Sequence, residues 1–180
     1  MSNNPQYPVY IISKGRGESQ LTARALMSMG VPFRVVIEPQ EESSYAPLVA
    51  DRLLILPFSN LGKGSIPARN WVWEHAARSG SGRHWILDDN LRNFYRYTQN
   101  RYYRAHSGAI FSAAEDFVDR YVNVAMAGFQ YFMFICRRDK LAPFIPNTRI
   151  YSCILVDNRL ELPDGERWRG RFNEDTDLSL

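Results

Sequence analysis

Apolar and polar positions along the chain follow two rhythms. Short runs rich in β-branched and aromatic residues, Tyr7 to Ile12, Phe33 to Ile37, Leu53 to Leu56 and His84 to Asp88, read as strands. Between them lie stretches with helical spacing. Leu21, Ala25 and Met29 recur every four residues and predict a helix over Glu18 to Met29, stopped by Gly30-Val31-Pro32. Gln40 to Asp51 reads as a loop or short helix, and Pro57 ends the third apolar run. Ile66 to Arg78 reads as a helix with Pro67 in its first turn, able to face Trp73, Ala76 and Ala77 towards a sheet. Successive strand and helix units predict a parallel sheet, and loops at the carboxyl edge of such sheets are where ligands bind.

The second half has a different rhythm. Ser112-Ala113-Ala114-Glu115 has the form of a capping box and predicts a helix through about Tyr121. Val122 to Ala127 predicts a strand broken by Gly128, Phe129 to Ile135 continues the apolar run, and Arg149 to Val156 predicts a further strand ending at Asp157-Asn158. No long helix separates these later strands, so part of the sheet should be antiparallel. The expected fold is a single α/β domain over 1–180: a Rossmann-type three-layer sandwich with a mixed, mostly parallel central sheet.

Composition narrows the class. With 45% hydrophobic residues in 180, the chain can bury a core without metal or disulfide staples. Cys136 and Cys153 stand 17 positions apart without CxxC spacing, which points to reduced, buried thiols and away from zinc or redox chemistry. The longest apolar stretch, Val122 to Cys136, is interrupted by Asn123, Gly128 and Gln130, so no membrane span is expected. Met1 to Gln6 is polar and unlike a signal peptide, which makes the cytoplasm the expected compartment. Nothing points to an obligate protein partner. The net charge of +3 is modest but unevenly placed.

Candidate chemistry gathers at strand ends. His84-Trp85-Ile86-Leu87-Asp88-Asp89-Asn90 is an apolar run ending in two carboxylates and an amide, hard oxygen ligands suited to a divalent cation and equally ordinary turn residues. Ser13-Lys14-Gly15-Arg16 links a strand to a helix, an arrangement that can aim N–H groups at an anion; glycines also serve such turns alone. Glu38 ends the second strand where a ribose or base is often held, and Arg69 and Asn70 open a helix near the same edge. From Leu91 to Ser107, Arg92, Arg96, Arg101 and Arg104 alternate with Phe94, Tyr95, Tyr97, Tyr102 and Tyr103, a pattern that grips phosphates and stacks on bases. The bland alternative is a loop with core tyrosines and solvated arginines. Near the end, Asn173-Glu174-Asp175-Thr176-Asp177 offers either a general base or a helix N-terminus.

Taken in order, Val9-Tyr-Ile-Ile-Ser-Lys-Gly-Arg16, Ala68-Arg69-Asn70, Trp85-Ile-Leu-Asp-Asp-Asn90 and Asn173-Glu-Asp-Thr-Asp-Leu178 resemble the TET-associated glycosyltransferases of phage origin, enzymes of the GT-A type. The resemblance implies a UDP-sugar donor, with Ser13, Lys14, Gly15, Arg16, Glu38, Arg69, Asn70 and Asp88 in its binding site. It implies a Mn²⁺ or Mg²⁺ ion at Asp88, Asp89 and Asn90, where the family carries a DxD-like motif; Asn90 at the third position departs from a strict DxD. Asp175, with Glu174 beside it, matches the base for inverting transfer. The implied acceptor is 5-hydroxymethylcytosine in DNA, flipped out or single-stranded, held by Arg92, Arg96, Arg101, Arg104, Tyr97 and Tyr102. Relatives usually continue beyond the last acidic motif with an arginine and a helix, so a domain shortened at its C-terminus is expected. Two other readings remain: a glycosyltransferase with a polysaccharide, lipid or small-molecule acceptor, and a non-catalytic DNA-binding module.

Overall fold

The apolar runs around Val9, Val35 and Trp85 become strands buried on both faces, as their near-continuous hydrophobicity requires. The computed structural model describes residues 3–135, 142–161 and 167–169. In chain order the elements are β1 (Val9–Ile12), α1 (Leu21–Ser28), β2 (Arg34–Ile37), α2 (Glu42–Val49), β3 (Leu53–Ile55), α3 (Ile66–Arg78) and β4 (Arg83–Asp88). They continue with β5 (Tyr95–Thr98), β6 (Arg101–Arg104), α4 (Ala109–Val118), β7 (Met126–Gly128) and β8 (Cys153–Asp157).

Among the described residues six strands form one sheet in the order β3-β2-β1-β4-β8-β7, while β5 and β6 pair separately as a hairpin. The first four strands are parallel; β8 runs antiparallel to both β4 and β7. This is the expected mixed, mostly parallel α/β sandwich. Alternation along each strand separates two cores. Val9, Ile11, Trp85, Leu87 and Leu155 pack with α1 and α2 residues and with Phe111 of α4; Tyr10, Ile86, Ile154 and Val156 pack with Val72, Trp73 and Ala76 of α3 and with Trp168. In register, Ile12 stands opposite Asp88 and Val36, so the carboxyl ends of β1, β2 and β4 share one edge.

Several boundaries differ from expectation, each for a local reason. α1 begins at Leu21 because Gln20 adopts a left-handed backbone (φ 40°) and Gly17 lies so close to Ser44 that a Cβ there would collide. The capping box is a mistaken reading: α4 already starts at Ala109, and the Ser112 hydroxyl donates to the Ala109 carbonyl within it. Glu115 is instead a buried carboxylate that accepts the Trp85 indole N–H (2.7 Å) and the Gln6 N–H (2.7 Å), tying the N-terminal segment to the core. The strand does end at Gly128, which is the last residue of β7 and where a Cβ would strike Ile150 and the Cys153 carbonyl. Val122 is fully exposed, and Phe132–Phe134 form a half-exposed 3-10 turn, so that apolar run is not one buried strand. The last strand starts at Cys153 because Ser152 has φ 55°. Cys153 is a buried free thiol, as expected; Cys136 lies outside the described residues.

Candidate active site

β4 delivers Asp88 and Asp89 to the carboxyl edge, and each carboxylate receives the same kind of support. Asp89 Oδ2 accepts the Ser13 hydroxyl at 2.6 Å, and Ser13 Oγ is itself bonded to the Tyr45 hydroxyl of α2 at 2.6 Å. Since Ser13 has one hydroxyl proton and Asp89 takes it, Tyr45 is the donor to Ser13. Asp88 Oδ2 likewise accepts the Ser152 hydroxyl at 2.6 Å, which leaves Tyr131 as donor to Ser152. Two Tyr→Ser→Asp chains thus converge on neighbouring carboxylates. Each also meets a guanidinium at 2.9 Å: Arg69 at Asp88 Oδ1 and Arg16 at Asp89 Oδ1.

The two ion pairs are not equivalent. Arg69 is buried, its guanidinium lying over the Trp168 ring (4.8 Å), whereas the Arg16 side chain is 46% exposed. Asp88 therefore has a fixed cationic partner and Asp89 a surface one that solvent competes for. Thr22 holds the turn from beneath: its hydroxyl donates to the Asp88 carbonyl (2.6 Å), its oxygen accepts the Leu91 N–H (2.8 Å), and its N–H faces the Asp89 carbonyl (3.4 Å). Burial, seconded by the Glu41 and Asp89 charges, outweighs the Ser13 and Arg16 hydrogen bonds and raises the Tyr45 phenol above its ordinary range. Burial first, and then the Asp88 charge, keeps the Cys153 thiol protonated.

The Ser13-to-Arg16 turn corrects the expectation of an open N–H cradle. The Gly15 N–H donates to Glu41 Oε1 (2.7 Å), the Arg16 N–H to Tyr45 (3.0 Å), and the Ser13 N–H to the Val36 carbonyl. A carboxylate of the chain itself occupies the position where an anion was expected. Lys14 pairs with Glu38 at 2.7 Å. Burial would raise the Glu38 carboxyl, but hydrogen bonds from Lys14, the Asn60 N–H and Gln40 prevail and hold it below the usual range. Asn70 is removed from the edge: its amide donates to the Trp168 carbonyl (2.9 Å) and its oxygen accepts the Trp168 N–H (2.8 Å). Asn90 is exposed in the turn beyond the two carboxylates. Tyr45, Tyr131, Ser152, Thr22 and Glu41 were not singled out from the sequence; lone hydroxyl and acidic residues carry no local pattern there.

The stretch from Tyr95 to Arg104 is a hairpin. Tyr97 and Tyr102 face each other across it (4.9 Å between rings), and Tyr95 and Tyr102 lean on Phe132. Arg92, Arg96, Arg101 and Arg104 are exposed. Glu174 and Asp175 lie outside the described residues. Among the described residues no three His, Cys, Asp or Glu side chains gather around one point. The Asp88 and Asp89 oxygens therefore fit Mg²⁺ or Mn²⁺ only in the manner of ions that bind one or two carboxylates and complete their shell with phosphate and water. A cleft of about 640 Å³ opens at the opposite sheet edge, where Arg83 pairs with Asp119 and Asp157, and Arg159 with Asp157.

The fold is thus a Rossmann-like α/β sandwich that carries two guanidinium-paired carboxylates at the carboxyl edge of its parallel strands. The family model of the TET-Associated Glycosyltransferases matches residues 7–180, and the chain belongs to that family; its activity class is glycosyl transfer. No curated protein and no solved structure matches the chain. No helix among the described residues is long and apolar enough to cross a membrane.

Proposed function

We propose that this glycosyltransferase moves a sugar from a UDP-sugar to the hydroxymethyl group of 5-hydroxymethylcytosine in DNA, with inversion at the anomeric carbon. The observation that carries the reading is the acidic turn: in a member of this family, Asp88 and Asp89 sit side by side with Arg16, Lys14 and Arg69 at one sheet edge. Cationic groups that can turn to a diphosphate, beside carboxylates that can bind a metal, are what departure of a nucleoside diphosphate needs.

Asp89 is the principal metal-binding group in this reading, because its exposed Arg16 partner can move to phosphate, while Asp88 stays paired with buried Arg69. A bound Mg²⁺ or Mn²⁺ supplies Lewis-acid stabilisation of the leaving diphosphate. Lys14 and Glu38 border the nucleoside end of the site. Asp175, with Glu174 next to it, takes the hydroxymethyl proton as that oxygen bonds to the anomeric carbon and the bond from that carbon to the diphosphate breaks. Incubation of hydroxymethylated DNA with a panel of UDP-sugars and either metal, followed by mass spectrometry of the nucleosides, should show a sugar-sized mass gain. Unchanged nucleosides with every donor and metal would refute the reading.

A further inference from the structure

The hairpin sorts its residues by face, because directly opposed residues of an antiparallel pair share a side. Tyr95 opposes Arg104 and Tyr97 opposes Tyr102; this is the inner face, resting on Phe132, with the Tyr102 hydroxyl donating to the Ile135 carbonyl. Arg96 opposes Tyr103 and Thr98 opposes Arg101; this outer face has exposed Arg96, Arg101 and Tyr103. The ribbon is firmly rooted: Phe94 is buried against Phe111 (5.4 Å) and Phe129, and the Ala105 N–H donates to the Phe94 carbonyl. Its turn places Gln99 and Asn100 at positive φ, the two-residue geometry that keeps a tight ribbon twisted. No Asp or Glu occurs between Leu91 and Ala114.

We propose that the outer face of the β5–β6 ribbon docks into the major groove of duplex DNA, with Arg96 and Arg101 on phosphates or guanine edges and Gln99 at the tip. This deepens the proposed function and rests on it for the choice of acceptor. The dimensions agree: a two-stranded ribbon with strands about 4.8 Å apart enters a groove about 12 Å wide. So does the chemistry, since arginine reads guanine and phosphate bidentately and glutamine reads adenine. A pyrimidine C5 substituent projects into that same groove until its base is flipped out, so a ribbon seated there lies on the side of the duplex that first presents the acceptor. The ribbon root follows the acidic turn after only Leu91 to Asn93, which keeps the docked groove near the donor edge. An anionic membrane fits less well: the rings of Tyr97 and Tyr102 are turned inward, and the outer face lacks the apolar stripe that interfacial binding requires.

The full chain, without donor, is titrated against a labelled unmodified duplex, the matching single strand, an A-form RNA duplex and vesicles with anionic lipid. Guanine N7 methylation of the bound DNA duplex is mapped alongside. The DNA duplex should bind best with N7 positions protected, and Arg96→Ala with Arg101→Ala should weaken it at least tenfold and reduce the log–log salt slope by about 2. Equal binding of single strand, RNA duplex or vesicles, open N7 positions, or unchanged affinity in the double variant would each overturn the ribbon assignment. Because no sugar is transferred in this assay, a protein that binds through the ribbon yet modifies no DNA would refute the acceptor alone. Sugar transfer to DNA with open N7 positions would refute the ribbon alone.

Discussion

At the scale of single residues, the arrangement predicts different costs for two adjacent carboxylates. Asp88→Ala removes the carboxylate to which buried Arg69 and the Ser152 hydroxyl both donate, a loss of about 2–3 kcal/mol for hydrogen bonds to a charged group. Asp89→Ala releases an exposed Arg16 and one serine hydroxyl, about 1 kcal/mol. Urea denaturation should rank Asp88→Ala as the less stable protein, while both lose sugar transfer; equal stability would contradict the division between fixed and surface partners. The acidic pair and Arg16 were legible in the sequence because they follow strand ends, and Arg69 because it stands in the first turns of α3. The Tyr→Ser→Asp chains were not, because Tyr45 and Ser152 reach the site only through α2 packing and a strand that runs antiparallel.

At the scale of elements, α3 was legible to the residue because Pro67 and the glycines after Arg78 punctuate both ends. The β5–β6 ribbon was not, since its turn uses Gln99-Asn100 where glycine is usual and its strands mix arginine and tyrosine without apolar alternation. Docking of residues 167–169 was equally hidden. Trp168 is buried against Trp73, its backbone clamped in both directions by Asn70 and its ring beneath Arg69. Trp168→Ala should cost about 3–5 kcal/mol, the range for a large buried aromatic. Asn70→Ala should cost about 1–2 kcal/mol through the two lost hydrogen bonds. Thermal melts of both variants test the clamp, and an Asn70→Ala protein as stable as the parent would dissolve it.

At the scale of the whole molecule, the second core contains an ionisable group that links folding to pH. His84 is buried between Tyr10 and Trp73, with Nδ1 at 2.5 Å from Asn158 Oδ1 and Nε2 without a partner among the described residues. Asn158 Oδ1 can only accept, so Nδ1 carries the proton and Nε2 must gain one to become charged. Burial first, with Arg167 adding to it against the Asn158 hydrogen bond, lowers the His84 pKa to about 4. The unfolded imidazole titrates near 6.5, so in this window the unfolded chain binds the extra proton. Stability from this group is present above pH about 6.5 and is lost progressively as pH falls to about 4, on the order of 3 kcal/mol in all. His84→Gln should flatten that part of the stability curve, and an unchanged slope between pH 6.5 and 4 would contradict it.

To the same scale belongs the proposed function, in which the acidic edge handles a sugar nucleotide and the acceptor is DNA. The most direct measurement is nucleoside mass spectrometry of hydroxymethylated duplex DNA after incubation with UDP-sugars and Mn²⁺ or Mg²⁺, run on the parent chain and on Asp89→Ala. A sugar-sized mass gain on 5-hydroxymethylcytosine is expected with the parent and none with Asp89→Ala. Full transfer by Asp89→Ala, or no mass gain with any donor in the parent, would contradict it.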